Sequence, residues 1–172
     1  MPKCEIPMPT PAKRTQRQTA EALISFQQAY QALVEITRFG SRIERRDAIQ
    51  KFEDALLTLP QVTEKHLSHK FVNKMYWRER LLLKGEVHTT MIHKEDGISV
   101  ILTGIVVVIT EEIAVRIIAP AMFETKAGTK RIIFVEEDCL FNTVHPNPSD
   151  CRDIEALEER LATTDFSFME VL

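Results

Sequence analysis

The stretch from Gly85 to His145 constrains this chain most. Single glycines at 85, 97, 104 and 128 separate short runs rich in valine, isoleucine and threonine, among them Ile98-Ser-Val-Ile-Leu-Thr and Ile105-Val-Val-Val-Ile. Short β-rich runs punctuated in this way predict a small closed barrel. Candidate strands lie at 66–71, 74–83, 87–93, 98–103, 105–110, 113–118, 120–125, 130–136 and 139–145. Eight or nine short strands is the count of a barrel or jelly roll. The most apolar run, Ile98 to Ile109, is too short to span a bilayer, contains Gly104 and ends at Glu111-Glu112, so it reads as two buried strands.

Helical periodicity precedes the strands. From Thr15 to Phe39, the residues Leu23, Phe26, Tyr30 and Leu33 recur at spacings of three and four, with Ile24, Val34 and Ile36 widening the stripe. Gly40 is placed as a left-handed residue ending that helix, and Ser41-Arg-Ile-Glu44 has the pattern of a capping box. A second helix then runs to about Leu57, with Ile49, Phe52 and Leu56 on its apolar face and Pro60 beyond its end. The first helix is apolar on more than one side, which predicts contact with the barrel and with a second surface such as another subunit. Prolines at 2, 7, 9 and 11 make the first residues an extended arm. After His145-Pro-Asn-Pro-Ser-Asp150, a last helix is expected at about 151–162, capped by Ser149 or Asp150, with Ile154, Leu157 and Leu161 on one face. The tail after it, carrying Phe166, Phe168, Val171 and Leu172, either docks as a strand or stays loose. The expected division is an arm at 1–14, a helical hairpin at 15–60, a barrel at 61–148 and a helix with tail at 149–172.

Composition excludes several classes. A 172-residue chain that is 44% hydrophobic can bury a proper core, and its net charge of −3 argues against phosphate-driven nucleic-acid binding. Lys13, Arg14 and Arg17, with Arg42, Arg45 and Arg46, therefore read as solvated helix faces. Cys4, Cys139 and Cys151 are odd in number and form no C-x-x-C pair, which fits free thiols in a reducing compartment. The start of the sequence has no apolar secretory segment, and the chain carries no phosphate loop, dinucleotide fingerprint or serine nucleophile elbow.

The glycine spacing carries a resemblance. Gly85 is followed by five residues, then Met91-Ile-His93, three residues, Gly97, six residues and Gly104; later come Lys126-Ala-Gly128, two residues and Arg131. This resembles the two motifs of the cupin superfamily: glycine, five residues, His-x-His, three or four residues, glutamate, six residues, glycine; and proline-x-glycine, two residues, histidine. Phe52-Glu-Asp-Ala-Leu, Leu59-Pro-Gln, Ile92-His-Lys, Ala119-Pro120, Gly128-Thr-Lys-Arg131, Glu137-Asp138 and Thr143-Val-His145 are similar to the small cupin-like proteins of tailed bacteriophages and prophages. The likeness covers roughly residues 50–162 and leaves the helix at 15–39 outside. It implies a mainly β protein: a cupin-like β-barrel, or jelly roll, preceded by a helical hairpin and followed by a short helix. It also implies a homo-oligomer formed through the barrel sheets, and a phage virion or host protein as partner; outside the likeness, the proline arm and the doubly apolar helix 15–39 are the other expected contact surface for a second subunit or partner. The implied location is the host bacterial cytoplasm or the virion, with no membrane.

Carried over by position, the four cupin metal-ligand slots are Met91, His93, Gly97 and Arg131. Only His93 is an ordinary ligand, and Arg131 puts a permanent cation where an imidazole should be. No metal, no cofactor and no catalytic residue are therefore expected; His145 and His88 are available as substitutes, though the spacing requires neither. The candidate ligand-binding residues of the barrel interior are His93, Arg131 and Met91, since 91 and 93 share one strand face. His93 is either a base or ligand donor, or a hydrogen-bonded interior histidine. Arg131 is either a clamp for a carboxylate or phosphate, or an ion-pair partner of Glu124 or Glu136, or part of a basic surface loop with Lys130. His66 and His69 are expected on opposite faces in solvent, His88 exposed, and Tyr76 and Trp77 in core and rim.

The leading reading is a non-enzymatic, phage-encoded cupin serving virion assembly, decoration or host interaction. The alternative is a cupin that holds a small anion between His93 and Arg131. A third is a metal-independent isomerase or epimerase, which needs an acid and a base on opposite sides of its substrate. An open barrel lined by His93 and Arg131 favours binding or catalysis; a barrel plugged by Met91, Phe123 and Phe134 favours a structural role.

Overall fold

The computed structural model describes residues 16–61, 66–165 and 167–168. The proline arm, Cys4, the side chains of Leu23 and Phe26, and Phe166, Val171 and Leu172 of the tail lie outside the described residues. The chain runs α1 (Gln16–Phe39), α2 (Arg42–Leu57), β1 (Leu67–Val72), β2 (Met75–Leu82), β3 (Val87–Thr89), β4 (Ile92–His93), β5 (Gly97–Ile109), β6 (Ala114–Ile118), β7 (Ala121–Thr125), β8 (Ile132–Pro146), α3 (Ile154–Leu161) and β9 (Ala162–Thr163).

The α1–α2 junction is built as its sequence predicts, with one change. Ser41 and Glu44 form a reciprocal capping box: the Ser41 amide donates to Glu44 Oε2 at 2.7 Å, and the serine hydroxyl accepts from the Glu44 amide. Gly40 is not left-handed; the positive-φ glycines are 85, 104 and 128. Its role is close approach, because a Cβ there would lie 2.5 Å from Ile36 Cγ2 and 2.7 Å from Ile36 O. The hairpin lies on the outside of the barrel. Leu33, Ile49 and Phe52 are buried against Ile109 and Ile132, with Tyr30 and Phe134 stacked edge-on at 5.6 Å. Fully burying a side chain of this size contributes about 1.5–3 kcal/mol. Glu111, in the β5–β6 turn and almost fully buried, accepts from Arg42 and from Arg46 Nε (2.9 Å), tying α2 to that turn.

The strands form one sheet in the order β1-β2-β8-β5-β6, with β3 added to β8 and β7 to β5. Two long strands close it. β5 pairs with β7 through its first half and with β6 through its second, while β8 pairs with β2, β3 and β5. The expected strands at 98–103 and 105–110 are therefore one, and so are those at 130–136 and 139–145. Gly104 makes this possible: it sits at φ +90, the register slips around it, and a Cβ there would meet the Asp138 carbonyl oxygen at 2.3 Å. The two halves then face each other across one core, with Leu82, Ile101 and Phe141 against Val106, Val108, Ile133 and Val135. Phe134 does not plug the barrel; it points outward beneath the hairpin.

The expected strand at 87–93 is broken into β3 and β4, and β4 pairs with β9 in a separate two-stranded sheet. The last helix begins at Ile154 and is capped by Asp153, not by Ser149 or Asp150. The reason is Asn147, which is buried, accepts from the Cys151 amide and donates to the Cys151 carbonyl (3.1 and 2.8 Å), holding 147–151 as a loop. Among the described residues no helix is long and apolar enough to cross a membrane.

Candidate functional site

Strand parity builds the site. Directly opposed residues of an antiparallel pair share a face. On β2 and β8 these pairs are Tyr76 with His145, Arg78 with Thr143, Arg80 with Phe141 and Leu82 with Cys139. This face points into the barrel. Thr89, Thr90, His93, Arg131 and Ile133 supply another wall, and Glu158 and Leu161 of α3 lie across the mouth. Together they enclose a cavity of about 290 Å³, near the lower end of the range for small-molecule sites.

The two glycine motifs meet at this cavity. Gly128, at φ +77, turns the chain so that its amide donates to His93 O at 2.7 Å, and the His93 amide donates to Thr129 O at 3.2 Å. The Arg131 amide donates to Thr90 Oγ1 and the Thr90 amide to Arg131 O, at 3.0 and 2.9 Å. The 126–131 turn is thereby stitched to the strand that carries His93. It is no surface loop: Lys130 and Arg131 are each only 3% exposed, and Lys130 Nζ donates to Glu53 of α2 at 2.8 Å.

Arg131 has none of the ion-pair partners its sequence neighbours offer. Glu124 pairs with Lys126 and Glu136 with Arg116. The Arg131 Nη2 donates to Thr125 Oγ1 at 2.6 Å, the guanidinium stands 5.5 Å from the Phe123 ring centroid, and the Nη1 is buried without a hydrogen-bond partner. Burial pulls its pKa down to about 10, so it stays charged at neutral pH. The charge is held in the interior with a hydroxyl and an aromatic face as its neighbours, a costly arrangement unless an anion completes it.

Beside it stands a histidine pair. The His93 and His145 rings stack at 5.5 Å, and Tyr76 stacks on the other side of His145 at 6.5 Å. Burial, with Arg131 and the facing imidazole adding to it, pushes His93 down to about 3; burial pushes His145 down to about 4. Both are neutral at pH 7, and each has an Nδ1 that is buried without a hydrogen-bond partner. His145 occupies the space that a side chain at residue 97 would need. A Cβ on Gly97 would lie 2.8 Å from His145 Nδ1 and 3.0 Å from Val144 O, so the ring fits only because residue 97 has no side chain.

The other expected residues fall as follows. Met91 is not an interior residue: it precedes β4, is 41% exposed and lines only the cavity rim. His66 is exposed beside Glu79 as expected, whereas His69 is half-buried with its Nδ1 2.7 Å from the Tyr76 hydroxyl. His88 is also half-buried, 3.0 Å from Glu86. Trp77 packs on the outer side and donates from Nε1 to Asn142 Oδ1 at 2.8 Å. Arg78, Arg80 and Thr143 join the site without having been singled out for it, and His145, available in the sequence only as a substitute ligand, joins them; the pairing of β2 with β8 puts all four on one face.

The donor set does not fit a divalent cation. Two imidazoles face each other next to a guanidinium, and among the described residues no three His, Cys, Asp or Glu side chains come together. A histidine at about 3 or 4 is also a weak proton acceptor at neutral pH. The buried guanidinium of Arg131, with its Nη1 unpartnered, suits the binding of an anion.

No family model and no curated protein matches the chain. Solved structures do. A cupin-2 domain containing protein from Shewanella frigidimarina is 14% identical, with a TM-score of 0.39 over 55% of this chain and 91% of that one. An RmlC-like cupin family protein with a double-stranded β-helix fold from Methanocaldococcus jannaschii is 16% identical, with a TM-score of 0.41 over 53% and 90%. A cupin superfamily protein from Desulfitobacterium hafniense is 13% identical, with a TM-score of 0.40 over 53% and 86%. By its own topology the chain has a cupin-like β fold, with two helices ahead of the barrel and a short one behind it.

Proposed function

We propose that this protein binds a small anion inside its barrel. The observation that carries the reading is Arg131, a charged guanidinium 3% exposed, with an unpartnered Nη1 and no carboxylate partner among the described residues. Arg78 and Arg80 also line the cavity, Arg78 against Glu158, while His93 and His145 are uncharged. The test is isothermal titration of the full chain with acetate, phosphate and succinate at neutral pH. Saturable binding with Kd on the order of 1 mM or tighter is expected for at least one of them. No saturable binding, or equal binding to an Arg131→Met variant, would overturn the reading.

A second reading, the assembly role, is favoured by the outer face of β5 and β7. Val100 pairs with Met122, and Ile98, Leu102 and Met122 on that side are exposed, Met122 by 73%. We propose that a second copy of this chain covers this sheet; a virion or host contact would use the same face. Sedimentation velocity should show a dimer or larger, weakened about tenfold by Met122→Glu as expected for an interface anchor. A monomer at every concentration would sink the idea.

A further inference from the structure

We infer that the ligand is an amphiphilic monocarboxylate, its charged end held by Arg131 and its apolar body laid along Leu82, Ile133 and Phe141. The inference rests on the anion-binding reading and adds the class of anion. The cavity walls change character along the barrel. Antiparallel register sets Tyr76 beside His145 at one end, Arg78 beside Thr143 next, Arg80 beside Phe141 after that, and Leu82 last. His145 and Phe141 are separated by roughly 13 Å along β8, at about 3.3 Å per residue. The far end is apolar. Leu82, Ile133 and Phe141 are each 4% exposed or less and belong to one buried cluster with Ile101, Val106, Val108 and Val135.

One side chain joins the cation to that cluster. Phe123 packs against it, and the Arg131 guanidinium stands 5.5 Å from the Phe123 ring centroid. The guanidinium is held in place by Thr125, whose Oγ1 accepts from Nη2 at 2.6 Å and is bonded in turn to Ser99 Oγ at 2.7 Å. A carboxylate that meets Arg131 therefore has apolar wall within reach of whatever it carries. Ile133 and Phe141 come from β8 and offer that wall, whereas Arg78 and Arg80 come from β2. Acetate or an inorganic anion would leave it unfilled. The space suits a larger ligand. An apolar cavity of about 150 Å³ takes up benzene, and this one, at about 290 Å³, has room for a carboxylate with an apolar body of that size. Burying that body adds the hydrophobic contribution that the charge alone does not supply.

The experiment titrates the full chain by calorimetry at neutral pH with acetate, butanoate, hexanoate and the uncharged hexanamide, in the unmodified protein and in Arg131→Met and Phe141→Leu. Each CH₂ buried in an apolar site is worth about fourfold in affinity, so hexanoate should bind at least about tenfold more tightly than butanoate. Its heat-capacity change should be more negative than that of acetate. Arg131→Met should weaken hexanoate by about thirtyfold or more. Phe141→Leu should weaken hexanoate by about threefold and leave acetate within about twofold. Affinity that stays flat from acetate to hexanoate, with binding still dependent on Arg131, would overturn this inference and leave the anion pocket standing. A rise with chain length that Phe141→Leu does not touch would overturn the placing of the apolar body. Hexanamide binding as tightly as hexanoate, or no binding by any acid, would overturn the anion reading as well. The chain-length series is read in the unmodified protein, so it decides the question even if Phe141→Leu fails to fold.

Discussion

Arg131→Met gives a ligand-free protein that is more stable by about 2 kcal/mol and no longer binds anions. The two effects have opposite signs for one reason. The guanidinium is charged, 3% exposed and has no carboxylate partner among the described residues, so in the empty barrel it is a desolvated cation compensated by little more than one hydroxyl and the Phe123 face. Replacing buried charge by an apolar side chain of similar length is commonly stabilising, by about 1–4 kcal/mol. The deletion orphans little, because Thr125 Oγ1 keeps its 2.7 Å bond to Ser99 Oγ. For a chain of this size about 2 kcal/mol corresponds to a rise in Tm of roughly 4–8 °C. The same substitution removes the charge that faces the ligand, and losing one member of a buried charged pair costs about 2–5 kcal/mol, at least a thirtyfold loss of affinity. Thermal unfolding of both proteins, alone and with saturating anion, separates the two terms. A variant that is less stable than its parent without ligand would mean that the arginine is there to hold the barrel together.

The glycine frame made the barrel legible in the sequence, and the resemblance of that frame to the cupin motifs pointed to His93 and Arg131. What it hid was continuity. Gly104 looked like the end of one strand and is instead a bulge inside a thirteen-residue strand, since a left-handed φ lets the chain slip register without leaving the sheet. The rest of the site was hidden by closure. On β2 the face with Tyr76, Arg78 and Arg80 looks more polar than the face with Trp77 and Leu81, so hydrophobic alternation would turn the wrong side inward. Only the pairing of β2 with β8 sets the arginines inside. His145 was open in the sequence only as a substitute ligand that no spacing required. Its place is defined by the missing side chain at Gly97, a complementarity between residues far apart in sequence that no local pattern carries. Met91 reaches the cavity at its rim and not from the interior, because the chain breaks between β3 and β4 and parity counted through 91 and 93 does not apply.

Acid destabilises the protein between about pH 6.5 and pH 4.5, before the carboxylates titrate, and His93 and His145 are the cause. Their folded-state values of about 3 and about 4 lie below the ordinary 6.5 of an unfolded histidine. Above pH 6.5 both states are neutral and the full stability is present. As the pH falls below 6.5 the unfolded chain takes up protons at these two positions and the folded one does not, so the number bound is larger in the unfolded state and stability must fall with pH. Each histidine contributes a slope of up to about 1.4 kcal/mol per pH unit, so the pair can remove roughly 4 kcal/mol between pH 6.5 and pH 4.5 once the gradual onset is allowed for. The lowered carboxyl groups, Glu44, Glu79, Asp96 and Asp165, start from 4.5 or 3.8 and act below this window. Urea unfolding at half-unit steps measures the slope directly. His93→Asn and His145→Asn should each remove about half of it, since asparagine keeps a polar group near the Nδ1 position and does not titrate. A slope unchanged in both variants would show that other groups take up the protons, and that the stacked pair at the floor of the cavity is already solvated or charged in the folded protein.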